Sequence, residues 1–487
     1  MDSPAQAANP SSDRARPRPA LPADDLTQLG AVELLRRLHR REVSAAEVVE
    51  AHIRRIENVN PKLNALVTDT FDEAARTARR ADERIGRGGS LPPLLGLPFT
   101  VKDAFPVAGV RFTAGLLRRK DHIAGEDAEI VRRMRAAGAI LLGKTNVPDL
   151  SASVDTENLI FGQTHNPWNP QRSSGGSSGG EGALVAAGGS PLGIGSDFAG
   201  SVRIPAASCG VPGLKTSPGR IPLDGHVPET PVELSGWNTA GALARKVEDL
   251  NLALATLAGS ARIPLESVPL HGRRLIVPEP LRGYPPSAEN EAALEASLQV
   301  LRERGMVLQR GVFSLDQVPF EYAAWLYRFW LPSLLRQLGA GRPIRMLAEG
   351  KNHIAGRPTI SRKVMALIAT MSLTGPFLIA SGRGRPARLA SLKQEFGRAI
   401  GEEGVVVWYW SASGAPTTSA SGLTGSSGYT TVFNALGVPA AVVPTGMGRG
   451  GLPLAVQVAA APGRDETALA VCQAIEAALG GWRRPPI

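Results

Sequence analysis

Apolar residues recur at helical spacing soon after the start of the chain. Leu34, Leu35 and Leu38 share one face, and Val49, Ile53 and Ile56 follow at i, i+4 and i+7. Between these stripes Ser44-x-x-Glu47 has the form of a capping box, which predicts the start of the second helix. Residues 1–22 are Pro, Ala, Ser, Asp and Arg with almost nothing to bury, and are expected to be a disordered tail.

Further on, short apolar runs alternate with helical stretches. Leu97–Val101 reads as a strand, Asp127–Gly138 as a helix with Ile130, Val131 and Met134 inward, and Ala139–Leu142 as the next strand. Pro191–Asp197 and Leu275–Val277 are two more, the latter followed by a helix bearing Leu294, Leu298 and Leu301. Ala440–Val443 and Leu454–Val458 complete the set, before a last helix with Leu469, Cys472 and Leu479 on its inner side. Strands separated by helices predict an α/β chain built on a parallel or mixed sheet. Residues 310–424 give no clear period: they are rich in Arg, Leu and aromatics at first, then in Ser, Thr and Gly.

Composition narrows the class. Of 487 residues, 43% are hydrophobic and 20% charged, enough for a real core. Two cysteines, Cys209 and Cys472, make no disulfide framework and lack metal-ligand spacing, so both are read as core residues. The net charge of +10 is spread over pairs such as Arg36-Arg37 and Arg132-Arg133, with only 5% aromatics. That reads as a solvated surface rather than a nucleic-acid footprint. No uninterrupted run of eighteen apolar residues occurs, so no membrane span is expected. Met1-Asp2-Ser3-Pro4 opens without an apolar signal segment, and a cytoplasmic location is the default expectation.

The most unusual stretch is Arg172-Ser173-Ser174-Gly175-Gly176-Ser177-Ser178-Gly179-Gly180-Glu181-Gly182. Such composition commonly makes a linker. Here it runs into the small-residue helix Ala183–Ala187, then the strand ending at Asp197, then Phe198-Ala199-Gly200-Ser201 and a second helix. Two serine-bearing turns therefore each open a helix, on either side of one strand. A serine there stands beside free backbone N–H groups that can hold an oxyanion. A phosphate loop is the rival, but no Gly-Lys-Ser/Thr ending follows.

A serine needs a base. None of the seven histidines lies in an esterase or protease motif, and no G-x-S-x-G elbow surrounds Ser201. His165, the nearest in sequence, reads as a turn residue in His165-Asn166-Pro167. A lysine can serve if burial populates its neutral amine. Lys102 and Lys144 each end a strand, and spacing does not choose between them.

These residues resemble the amidase signature family. The hallmark is Gly175-Gly176-Ser177-Ser178-Gly179-Gly180, then Ser196 to Ala206, then Cys209-Gly210-Val211-Pro212-Gly213-Leu214-Lys215. Leu97 to Asp103, Asn434 to Ala440 and Gly451 to Gln457 match as well. The segments Gly179–Leu184 and Gly188–Gly193 resemble the fatty acid amide hydrolase branch in particular.

The resemblance implies a single large α/β domain over 23–487, with a central mixed β-sheet flanked by α-helices and a variable substrate-pocket region at 264–424. It implies Ser201 as nucleophile, Lys102 as base and Ser177 as the bridge between them, joined to Gly176 by a cis peptide. Phe198, Ala199 and Gly200, with Ser201 itself, would supply oxyanion-hole N–H groups; Ser178 and Arg203 would support the loop. Ala199 stands where many relatives have Gly, which would cost about 1 kcal/mol if that backbone needs positive φ.

The implied activity is hydrolysis of a small-molecule amide, simple, aryl or fatty, through an acyl-enzyme, with no metal or organic cofactor and no nucleic acid. A homodimer is left open. The other readings are the amidase component of a transfer-RNA-dependent amidotransferase, or a non-catalytic binding protein on the same scaffold. Trp325, Phe329 and Trp330 form an aromatic face that packs into the core or lines an acyl pocket.

Overall fold

A computed structural model describes residues 26–417 and 426–487. The expected tail at 1–22, and the end of the Ser/Thr/Gly stretch at 418–424, lie outside the described residues.

The first helices form as their stripes predict. Leu34, Leu35 and Leu38 are buried on Ala31–His39. Ala45–Leu63 begins at Ser44, whose hydroxyl accepts the Glu47 N–H at 3.1 Å while Glu47 accepts the Ser44 N–H at 2.8 Å. The strands are β1 (Leu66–Asp69), β2 (Pro98–Lys102), β3 (Ile140–Thr145), β4 (Glu157–Asn158), β5 (Gly162–Gln163), β6 (Leu192–Asp197) and β7 (Gly213–Lys215). They continue as β8 (Thr239–Ala244), β9 (Arg274–Val277), β10 (Val307–Arg310), β11 (Val405–Tyr409), β12 (Ala440–Met447) and β13 (Pro453–Ala460).

Eleven of them form one sheet, in the order β1-β3-β2-β6-β8-β7-β12-β13-β11-β9-β10; β4 and β5 pair separately. β2 runs parallel to both β3 and β6, whereas β6 to β8, β8 to β7 and β7 to β12 are antiparallel. The mixed sheet is the expected one. β2, β3 and β6 are buried along their whole length, as strands covered on both faces must be. Their C-terminal ends carry Lys102, Lys144 and Asp197 to one edge of the core. Cys209 and Cys472 are free and buried, as expected of core residues.

The 264–424 region supplies three sheet strands and a run of helices that sequence periodicity did not resolve: Val318–Trp325, Leu331–Leu338, Met346–Ile354, Arg362–Ala380 and Pro386–Ile400. A π-helical turn, Leu326–Trp330, joins the first two.

Arg362–Ala380 is the one helix among the described residues that bears on the expectation of no membrane span. An eighteen-residue window of this nineteen-residue helix reaches a mean hydropathy of 1.6, and the helix is, by length and composition, apolar enough to cross a membrane. The search for an uninterrupted apolar run missed it because Thr370, Ser372, Thr374 and Gly375 break the run. Val364, Ile368, Met371 and Gly375 face the core, while Leu373 and Phe377 are exposed.

Ser44→Ala removes the hydroxyl that accepts the Glu47 N–H, while the Ser44 N–H keeps its Glu47 carboxylate, and should cost about 1 kcal/mol in denaturant-induced unfolding, with the slope unchanged. An unchanged midpoint would show that tertiary packing alone fixes this helix start.

Candidate active site

Gly175 has φ +80°, and the Gly176–Ser177 peptide is cis. A Cβ on Gly176 would lie 2.6 Å from the Asp155 nitrogen, so only glycine lets the turn press against that backbone. Ser178 then opens the helix Gly179–Ala186. The second turn leaves β6 at Asp197 and passes through Ser201 into the helix Arg203–Cys209. The Ser178 N–H donates to the Ser201 carbonyl at 3.1 Å, tying the two turns together.

Lys102 ends β2 fully buried, with Nζ 2.6 Å from Ser177 Oγ and 3.0 Å from Ser196 Oγ. Burial brings its pKa down to about 7, against the pull of Asp197 and Glu181. Lys144 is as buried but engaged elsewhere. It pairs with Asp103 at 2.5 Å and lies 4.4 Å from the Phe112 ring centroid. The two lysines that spacing could not separate differ in partner, and only Lys102 reaches a serine of these turns.

A histidine extends the network. His226 Nδ1 is 3.1 Å from the Pro228 carbonyl, and Nε2 is 2.9 Å from Ser196 Oγ. A carbonyl only accepts, so the ring proton sits on Nδ1 and Nε2 takes the Ser196 hydroxyl hydrogen. Ser196 in turn accepts from Lys102, so the amine is held between the Ser196 and Ser177 hydroxyls. Burial, with Lys102 nearby, pushes His226 down to about 3, so it is neutral. His165 is not part of this site; its ring meets the Pro170 carbonyl at 3.4 Å, in the turn where the sequence placed it.

Asp197 organises the second turn. Its carboxylate accepts the Gly200 N–H at 2.8 Å and the Val202 N–H at 3.1 Å. It also accepts Asn434 Nδ2 at 2.9 Å, and Arg203 Nη2 at 3.0 Å. Burial would raise this carboxyl, but the Arg203 guanidinium beside it holds it far below the usual range. Arg203 is fully buried and further donates to Asn434 Oδ1 at 2.6 Å and Gln457 Oε1 at 3.1 Å.

This changes the expected role of Gly200. Its N–H is committed to Asp197, so it is not free to meet an oxyanion. Gly200 is needed instead for φ +105°, and a Cβ there would collide with Thr430 Oγ1. Ala199 is outside the left-handed region, so the strain considered for alanine does not arise. The N–H groups of Phe198, Ala199 and Ser201 find no acceptor among the described residues.

Two cavities meet at Ser201, Phe198, Ser151 and Trp330. One, of about 20 Å³, also touches Ser177, Ser196 and His226. The other, of about 440 Å³, runs between apolar groups of Val318–Trp325 and Arg362–Ala380, including Ala323, Leu326, Leu367 and Met371. The aromatic face divides: Trp330 lines both cavities, whereas Trp325 packs on Trp237 and Phe329 with ring centroids 5.9 and 5.0 Å away. Leu150 and Ser151, at φ 48° and 55°, form an unusual left-handed pair at the cavity mouth, held by the Leu150 N–H on the Ala114 carbonyl.

The fold and these paired serine turns define an α/β enzyme of the amide-hydrolysing class. The Amidase family model matches residues 47–332, and the chain belongs to the amidase signature family. It is 32% identical to fatty-acid amide hydrolase 2-A of Danio rerio, over 94% of this chain and 90% of that one. Indoleacetamide hydrolase of Bradyrhizobium diazoefficiens is also 32% identical, over 94% and 88% of the two chains. A solved structure of 6-aminohexanoate cyclic dimer hydrolase superposes with a TM-score of 0.77 at 28% identity, covering 94% and 99%. The chain is thus an amide-bond hydrolase.

Sequence reasoning missed His226 and the partners of Arg203. Asn434 and Gln457 lay inside quoted motifs, so their polarity amid apolar neighbours was the available signal. Arg203→Met should destabilise the fold by about 3–5 kcal/mol, because the Asp197 charge is left buried without its partner. Thermal and denaturant unfolding would check this, and a loss under 1 kcal/mol would refute the organising role of the pair.

Proposed function

We propose that the chain hydrolyses amides of bulky apolar carboxylic acids through an acyl-enzyme on Ser201. The observation that carries this is the buried Lys102 amine, 2.6 Å from Ser177 Oγ, with Ser177 and Ser201 on one cavity wall. Ser201 Oγ attacks the amide carbonyl carbon. Its proton passes to Ser177, whose own hydroxyl proton goes to Lys102. The N–H groups of Phe198, Ala199 and Ser201 take the developing oxyanion. As the C–N bond breaks, the nitrogen takes a proton from Ser177, which Lys102 replenishes. Water then attacks the ester by the same relay, releasing the acid and restoring Ser201.

The 440 Å³ cavity is of ligand size, and its wall is chiefly apolar. That supports an aryl or fatty acyl group. Arg362 and Lys363 also line the cavity, but no acidic side chain does among the described residues, so the ammonium end of an amino-acid amide has no counter-charge there, which favours hydrolysis over amidotransfer.

The base must be neutral to work. With Lys102 near 7, the logarithm of kcat/KM should rise with unit slope from low pH and level off above about 7. A profile flat from about pH 5 to 9 would remove Lys102 as the base. Ser201→Ala should abolish labelling by a fluorophosphonate probe, and Lys102→Ala should lower turnover by about a thousandfold or more. Labelling that persists in Ser201→Ala would sink the nucleophile assignment.

A further inference from the structure

The amide-hydrolase reading leaves one side of the site unassigned. A proton taken from Ser201 through Ser177 returns to the leaving nitrogen along the same path, so that nitrogen must sit beside Ser177. The small cavity occupies that place, touching Ser177, Ser196 and His226, while the large cavity touches neither Ser177 nor Ser196. The acyl group therefore belongs to the large cavity and the amine to the small one.

Asn238 lines the small cavity and is only 6% exposed. Its Nδ2 donates to Thr230 Oγ1 at 2.9 Å, while its buried Oδ1 meets no donor among the described residues. A buried amide oxygen without a donor is costly unless a ligand supplies one. An amide nitrogen carries such donors.

Size then limits what the nitrogen bears. A volume of 20 Å³ is little more than the 10–15 Å³ needed to hold a water-sized group. It fits an NH₂ or ammonia and leaves an alkyl substituent on that nitrogen little room. The same dimensions suit the water that attacks the acyl-enzyme afterwards from the same side.

We propose that this cavity is a leaving-nitrogen subsite, in which Asn238 Oδ1 accepts an N–H of a primary carboxamide, restricting the enzyme to amides that release ammonia. The proposal rests on the amide-hydrolase reading and can fail separately from it.

The test compares 4-phenylbutanamide with its N-methyl and N-(2-hydroxyethyl) derivatives, which share one acyl group. The primary amide should be favoured in kcat/KM by about 100-fold or more. Values within about threefold of each other would overturn the subsite and leave the hydrolase reading standing. Failure of all three amides to turn over would overturn both.

Asn238→Ala enlarges the cavity and removes the acceptor. It should lower the ratio of primary to N-methyl turnover by about tenfold or more, while fluorophosphonate labelling of Ser201 reports an intact triad. An unchanged ratio in a labelling-competent variant would rule out the role of Asn238. Damage to the fold alone would lower both rates together and leave their ratio where it was.

Discussion

One carboxylate, that of Asp197, holds the turn from Phe198 to Ser201 in shape. It accepts the Gly200 and Val202 N–H groups, the Arg203 guanidinium and the Asn434 amide, all away from solvent. A buried charge is tolerated only when its lone pairs are used, and here four partners use them. Because Gly200 N–H is drawn inward, the neighbouring N–H groups of Phe198, Ala199 and Ser201 are left for other acceptors. Arg203 carries the constraint onward, through Asn434 before β12 and Gln457 on β13, to the far side of the sheet. The N-terminal and C-terminal blocks of the family pattern are thus bonded into one unit around a single anion.

Lys102 obeys the opposite logic. Among the described residues no carboxylate is hydrogen-bonded to it, so burial is not offset by a direct ion pair and the amine is drawn towards neutrality. Lys144, with Asp103 against it, is held by a direct counter-ion. Adjacent residues at the end of β2, Lys102 and Asp103, therefore set up two lysines for different ends. His226 completes the contrast: a neutral ring that fixes a serine hydroxyl, which then fixes the amine.

What the sequence made legible follows from range. The Ser44 box, the two serine turns and the strands β2, β3, β6, β12 and β13 are local matters of capping, turn chemistry and apolar runs. Choosing Lys102 over Lys144 required knowing partners across the sheet, which no spacing encodes; there the family resemblance was needed. His226 meets Ser196 from thirty positions away, on a loop without a motif. The helices after residue 310 were obscured by prolines that helices normally exclude from their interiors. Pro319 and Pro332 sit in first turns, where they are tolerated, but Pro376 lies inside Arg362–Ala380. Val405–Tyr409 is buried throughout, so it lacks the alternation that marks a half-exposed strand.

The Tyr322 hydroxyl donates to the Phe198 carbonyl at 2.8 Å. Tyr322 stands on a wall of the large cavity, and Phe198 is the first residue of the turn that carries Ser201. The cavity wall and the serine turn consequently share a hinge point. Engineers who reshape that wall cannot treat it as a detachable cassette: every redesign that moves Tyr322 also retunes the peptide plane that carries the Ala199 N–H.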